Sequence, residues 1–344
     1  MTSPRIDPSR LTETLEQQEL RAVLREFFAA HHDAGLWSRM AKELEIQGLA
    51  IPEEYGGSGY SFAELAVVLE EAGRVLCPAP LLSTVVLAGY SLVHSGDAEA
   101  RARYLPRIAD GSLTATVAFG ADVTAGHGAA GWTLVGSADF VLDGGQAELV
   151  LVPVGDRLFA CESEVERTPL RVLDETRPQA RLEFRGVPAV PIEQPPQVGR
   201  VLDIGRAAVA AEQAGGIGHA LQATVSYVGQ RKQFGRPIGS FQAVKHRLAG
   251  LLVSYEAARS ASAYASACAA TDSPELPVAA AAASMVCSGA YRLAVAEYVQ
   301  LHGGTGFTWE HPAHRYVRRA RSTEVLFGTA QDDAARLATA LGLD

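Results

Sequence analysis

The chain is poor in the residues that mark many specialised chemistries. It has only four cysteines, Cys77, Cys161, Cys268 and Cys287, and they show no metal or dithiol spacing. Zinc modules and disulfide scaffolds are thereby excluded, and the apolar or Ala-rich surroundings of the four predict reduced, buried thiols. No metal-ligand cluster is expected. Positive charge is also in deficit: the net charge is −9, with 20% charged residues. That balance argues against nucleic acid or an anionic membrane as the main partner. The N-terminus is polar and charged with no signal-like apolar core, and no apolar run of membrane-spanning length is expected. A cytoplasmic protein without membrane insertion is the resulting expectation.

What remains is an ordinary globular composition. The 344 residues are 48% hydrophobic, enough for a large core divided into two or three domains. From about Pro8 to Ala109 the apolar period is helical. Leu20, Val23, Leu24, Phe27 and Phe28 recur at helical spacing, and Phe62 to Ala72 do the same among Glu64, Glu70 and Glu71. Pro52 and the Gly56-Gly57 pair separate the two stretches.

At Leu113 the period changes. Thr114–Phe119, Trp132–Val135, Glu148–Pro153 and Ala180–Phe184 read as strands, and this region closes near Pro195 and Pro196. From Val201 an Ala-rich helical period returns, with helices expected over about 203–230, 241–270, 277–300 and 329–341. Long antiparallel helices with short links make a bundle. The predicted class is α+β, mostly α. It comprises an N-terminal helical domain (1–112), a small middle β-barrel or sandwich domain (113–197) and a C-terminal four-helix bundle (198–344).

One motif is a decoy. Gly126-His-Gly-Ala-Ala-Gly131 spells G-x-G-x-x-G, which binds a pyrophosphate only where it follows a strand and opens a helix. Trp132-Thr-Leu-Val135 follows it with a strand pattern, so a flexible surface loop is expected.

The segment Arg231-Lys-Gln-Phe-Gly-Arg-Pro-Ile-Gly-Ser-Phe-Gln-Ala-Val-Lys-His-Arg-Leu-Ala249 is the most informative. Arg231 and Lys232 end one helix, Gly235 and Pro237 stop it, and Phe241 and Gln242 open the next. Gln242 and His246 fall one turn apart on one face. A cationic corner beside a Gln suits a ligand that is part anion and part hydrogen-bonding ring, such as a nucleotide pyrophosphate. Lys and Arg that merely offset a helix dipole give the competing reading.

This segment resembles a hallmark of the acyl-CoA dehydrogenase flavoproteins. So do Gly48-Leu-Ala-Ile-Pro-Glu-Glu-Tyr-Gly-Gly-Ser-Gly59 and Gln300-Leu-His-Gly-Gly-Thr-Gly-Phe307, in the family's order and over almost the whole chain. The resemblance implies the three-part fold just described and FAD shared between two subunits. It further implies an acyl-CoA substrate and an electron-transfer flavoprotein as acceptor. In such enzymes a carboxylate removes the α-proton of the thioester while the β-hydrogen leaves as hydride to the flavin.

The resemblance assigns Arg231, Gln233 and Phe234 to the pyrophosphate side and Gln242 to the helix start. Gln300, Gly303 and Gly304 fall to the adenosine-side turn, and Thr329 and Gln331 also match. The family's β-domain flavin loops do not carry over well onto Ala118–Ala125 and Ala138–Gly145. The usual base position, just before a Gly-Thr pair, holds Phe327, and the alternative position, before Arg206, holds Gly205. Glu324 and Glu212 are the displaced candidates, read otherwise as a surface carboxylate and a bundle-edge polar residue.

Three functions fit these residues. The first is a non-catalytic subunit that lends FAD contacts to a homologous catalytic chain, as a heterodimer or α2β2 heterotetramer. Its substrate would be a bulky acyl-CoA such as a sterol side chain. The second is a stand-alone homo-oligomeric dehydrogenase using Glu324. The third is a flavin-free scaffold.

Overall fold

The structure is a computed structural model that describes residues 6–33, 35–193 and 197–343, so Pro195 and Pro196 lie outside the described residues. In chain order the first helices are Leu15–Ala30 (α1), Leu36–Leu44 (α2), Phe62–Arg74 (α3), Gly89–Val93 (α4) and Ala98–Ala109 (α5). Seven strands follow: Ala115–Val117 (β1), Asp122–Gly128 (β2), Gly131–Leu142 (β3), Leu149–Val154 (β4), Arg157–Cys161 (β5), Glu166–Pro169 (β6) and Gln179–Ile192 (β7). Helix Val198–Gln230 (α6) leads into a hairpin of Lys232–Gln233 (β8) and Arg236–Pro237 (β9). The remaining helices are Gln242–Ala270 (α7), Leu276–His302 (α8), Ala313–Thr323 (α9) and Ala330–Ala340 (α10). The protein is mostly helical, with a sheet domain in the middle of the chain and helical N- and C-terminal parts.

Contacts gather the chain into two compact units that interleave along the sequence: Met1–Ala30, Ala66–Cys77 and Arg206–Asp344 form one, and His31–Leu65 with Pro78–Gly205 the other. In the first, α1 buries Leu24, Phe27 and Phe28, the i, i+3, i+4 stripe expected of an amphipathic helix. Val23, expected on that stripe, faces outward. Arg21 of α1 reaches Glu70 at 2.7 Å and Glu71 at 2.5 Å, and Arg25 reaches Glu71 at 3.0 Å. Glu71 is buried, so its charge is offset by two guanidiniums rather than by water.

The same part of α3 crosses α6 backbone to backbone. A Cβ on Gly215 would lie 1.8 Å from the Glu70 carbonyl oxygen, and one on Gly73 would lie 2.0 Å from that of Glu212. Only glycine permits this approach.

Helices α7 and α8 run almost where the Ala-rich periods placed them, whereas α9 is an addition to the expected four. The expectation that no apolar stretch reaches membrane-spanning length is corrected by α8. Within its 27 residues a stretch reaches a mean hydropathy of 1.4, enough in length and composition to cross a bilayer. Alanine, valine and leucine supply that hydropathy, and Ala279, Ala280, Ala281, Ala283, Tyr291 and Tyr298 are buried within the unit.

In the second unit the sheet order is β1-β4-β5-β7-β3-β2, with β6 on the edge of β7. Strand β1 is parallel to β4 and the other pairs are antiparallel. Strand β7 is shared: residues 179–189 pair with β3 and 190–192 with β5, which folds the sheet around a core of Leu134, Val150, Val152, Phe159, Leu182 and Phe184.

Strands β2, β5 and β6 were not foreseen. Nor was the hairpin at Gly126–Gly131. This is no flexible loop but the paired end of β2 and β3, with Gly128 opposite Gly131 across two turn residues. No helix follows it, so no pyrophosphate site exists there. The buried segment Leu81–Ala88 winds as a π-helix, and the Thr84 hydroxyl donates to the Ala115 carbonyl at 2.8 Å and accepts the Ala115 N–H at 3.0 Å.

Candidate functional site

The corner after α6 is built by a two-residue turn. Arg231 leaves the helix with its N–H on the Tyr227 carbonyl at 2.8 Å, and β8 and β9 pair around Phe234 and Gly235. Both turn residues are left-handed, with φ of 51° and 77°. Two successive positive φ angles are what a tight hairpin needs, and the conformation costs a side-chain-bearing residue about 1–2 kcal/mol. Thus the helix is ended by a hairpin, not merely by Gly235 and Pro237.

Phe234 accepts that strain while 90% exposed. Its ring meets Phe241 edge-on at 6.0 Å, and the Arg236 guanidinium lies 4.1 Å above the Phe241 ring. Arg231, Lys232 and Gln233 are exposed, and none of the three forms an ion pair among the described residues. Gln242 opens α7 with its amide nitrogen 2.7 Å from His246 Nε2, so the predicted one-turn pair is formed.

The second group lies at the end of α8. Gln300 is exposed, Gly303 takes φ 61°, and a Cβ on Gly303 or Gly304 would meet nothing within 4 Å. The chain itself therefore leaves that backbone open to an approaching ligand.

Tyr227, which the sequence reading did not single out, links the two groups. It carries Arg231 on its carbonyl, stacks on His302 at 4.2 Å, and donates its hydroxyl to the His302 carbonyl at 3.4 Å. A tyrosine inside a helical period reads as core, so only its partners reveal the link. The third group differs. Thr329 caps α10, its hydroxyl donating to Asp332 at 2.7 Å, while Gln331 is exposed. Among the described residues no hydrogen bond or ion pair joins these two to the corner.

The two positions that the resemblance assigns to a base are structurally committed. Gly205 lies within α6, and Phe327 is half-buried. The Arg206 guanidinium donates to the Phe327 carbonyl, and its Nε lies 3.2 Å from Asp333. Both Arg206 and Asp333 are buried, so the main chain at Phe327 is fixed by a buried ion pair. Glu324 ends α9 beside Arg321 at 3.2 Å, with its side chain 25% exposed, so it is half-buried rather than the surface carboxylate expected. Glu212 corrects the sequence reading: it is no bundle-edge residue but a buried partner of Arg319. Close by, Gln213 bonds Ser288 at 3.1 Å and Thr323 at 3.0 Å.

In the sheet unit, Ala138–Gly145 covers the end of β3. Phe140 there is 71% exposed with φ 57°, at the register shift between Ala138 and Val141. A bulge of this kind re-aims one side chain, and the alternation of the strand gave no sign of it. All four cysteines are buried and none forms a disulfide. Burial pushes Cys161 up to about 11 and Cys287 up to about 12, so neither offers a thiolate nucleophile.

A helical bundle with a cationic corner, placed after a small sheet domain, defines a flavoprotein-dehydrogenase type of fold. Residues 12–112 match the acyl-CoA dehydrogenase N-terminal domain and residues 196–341 the acyl-CoA dehydrogenase C-terminal domain. The chain belongs to the acyl-CoA dehydrogenase family of oxidoreductases. Acyl-CoA dehydrogenase IpdE2 of Mycobacterium tuberculosis is 35% identical over 95% of this chain and 98% of its own length. The ChsE4-ChsE5 complex of Mycobacterium tuberculosis contains a chain that superposes with a TM-score of 0.87 at 28% identity, covering 97% of this chain and 99% of that one. A Tcur3481-Tcur3483 steroid ACAD variant gives a TM-score of 0.85 at 32% identity, over 95% of this chain and 98% of that one.

Proposed function

We propose that this chain is the non-catalytic subunit of a heteromeric, FAD-dependent acyl-CoA dehydrogenase. In this reading Arg231, Gln233, Phe234, Gln242, Gln300, Gly303, Gly304, Thr329 and Gln331 contribute to an FAD whose ring side and catalytic carboxylate belong to a homologous partner chain. The flavin, when bound, takes the β-hydride of the acyl thioester. This chain's own part is to hold the anionic and adenosine end of that cofactor. The residues fit such a group. Arg231 and Lys232 are exposed cations without an ion pair among the described residues, and Gly303 and Gly304 leave their backbone open.

One observation carries the proposal: a phenyl ring stands where the resemblance puts the base, and its main chain is held by the buried Arg206–Asp333 pair. A phenyl ring accepts no proton, and a base displaced by about 1 Å loses about 100-fold in rate. Glu212 is committed to Arg319, and Glu324 lies beside Arg321. The likeness to a chain of the ChsE4-ChsE5 complex and to a steroid ACAD supports a heteromeric assembly acting on a bulky, ring-bearing acyl-CoA. An electron-transfer flavoprotein is the acceptor this reading implies.

Co-expression with a homologous chain that carries Glu before its Gly-Thr tests the proposal. A mixed complex with bound flavin and acyl-CoA dehydrogenation supports it. A homo-oligomer that turns over and loses activity in Glu324→Gln supports the stand-alone enzyme instead. Absence of a flavin absorption band in every complex supports a scaffold.

A further inference from the structure

The turn joining α8 to α9 is clasped by three histidines, one of which, His311, must be neutral to make its contact. His302, buried at the end of α8, has Nδ1 2.7 Å from the Tyr298 carbonyl oxygen. A carbonyl only accepts, so Nδ1 carries the proton. His311 Nδ1 accepts the N–H of Ala313, the first residue of α9, at 3.2 Å, and so holds the entry to that helix by the two-residue contact an Asn side chain makes in an Asx-turn. His314 Nε2 lies 3.3 Å from the Trp309 carbonyl, which it can only donate to, and its Nδ1 is buried without a hydrogen-bond partner. The rings also touch: His302 and His311 are 4.6 Å apart, and Tyr298 meets His311 at 5.2 Å.

We propose that Gly303–Pro312 is a pH-operated latch, shut while His302 and His311 are neutral and released when they take up protons. A proton on His311 Nδ1 turns that acceptor into a donor that faces the Ala313 N–H. It also places a cation at the positive end of α9. Charge on His302 then meets charge on His311 across 4.6 Å.

The surroundings offer no relief. From α6, Tyr227 stacks on His302, and His219 stacks on Tyr316 at 4.4 Å. Arg74 of α3 bears on His219 and Tyr316, and Arg315 and Arg319 of α9 bear on Tyr316. Arg318 lies 5.2 Å from the Trp309 ring. The single carboxylate within Gly303–Pro312, Glu310, is exposed. Burial is the main cause that lowers both His302 and His311. His311 adds to the effect on His302, which the Tyr298 carbonyl opposes, and His314 adds to that on His311. With both groups below the ordinary histidine value, the shut form is favoured above that value, and proton uptake at lower pH favours the open one.

Phe307 and Trp309 ride on the segment, 88% and 74% exposed, so its release changes an aromatic surface. Gly303 and Gly304 would move away from a nucleotide at the same time. That consequence rests on the proposed function, whereas the latch does not.

Amide hydrogen exchange of the full chain, corrected for intrinsic rates and compared at about pH 7.5 and about pH 5.5, tests the latch. Protection across Gly303–Thr323 should fall about tenfold or more at the lower pH while α7 keeps its own. His311→Asn keeps an accepting oxygen but does not titrate, and should reduce that fall to about threefold or less. His302→Gln provides a second non-titrating variant with the same expectation. Equal protection at both pH values, an undiminished fall in both variants, or a fall shared equally by α7 would overturn the proposal.

Discussion

Arg319→Met should destabilise the helical unit far more than its small change in packing implies. The Arg319 side chain is 2% exposed and its partner Glu212 9%, so substitution strands a carboxylate away from water. Breaking a buried pair from one side costs about 3–5 kcal/mol, against a typical total stability of about 5–15 kcal/mol. Methionine fills much of the vacated volume, so the cavity contribution is small and the stranded charge dominates. Adding Glu212→Gln removes that charge, and the double variant should recover about 1–2 kcal/mol of the loss. Urea unfolding followed by circular dichroism, on both single variants and the double, gives the coupling directly. Additivity within about 0.5 kcal/mol would refute the pair's energetic role. The same variants separate structure from chemistry. Glu212→Gln should leave turnover of the mixed complex intact, and its abolition in a fully folded variant would make Glu212 the missing base.

Further outcomes follow from other contacts. Burial and Arg74 push His219 down to about 4 from its ordinary 6.5. The folded state thus resists the proton that the unfolded chain accepts, and stability is complete above about pH 6.5 and lost as pH falls toward about 4. His219→Phe, which keeps a ring against Tyr316, should flatten that loss by about 2 kcal/mol after discounting partial solvent access. Parallel urea curves for the two proteins at about pH 7 and about pH 4.5 would contradict it. Gly215→Ala drives a methyl into the Glu70 carbonyl and should lower the urea midpoint by an amount equivalent to about 1–3 kcal/mol. Phe327→Leu should leave turnover of the mixed complex within about twofold, since the ring moves no proton.

The helical half of the fold was readable because alanine-rich periods are punctuated by residues with a physical duty. Gly235 supplies a left-handed turn position, and Phe241 and Gln242 mark the start of α7. The sheet was harder. Strands such as Glu166–Pro169 have no apolar alternation, because they lie on an edge and owe their extension to β7. Helix α9 was hidden among arginines whose roles, burial for Arg319 and exposure for Arg321, only packing distinguishes. At the candidate site, the helix end at Arg231 and the helix start at Gln242 could be read from their spacing. Tyr227 and Phe140 could not, since one hides in a helical period and the other in a bulge.

Anaerobic mixing of the isolated, FAD-supplemented chain with an acyl-CoA tests the central claim most directly. With Phe327 in place of an ionisable oxygen, flavin absorbance should stay unbleached until the homologous partner is added. Rapid bleaching by this chain alone would show that it holds a working base.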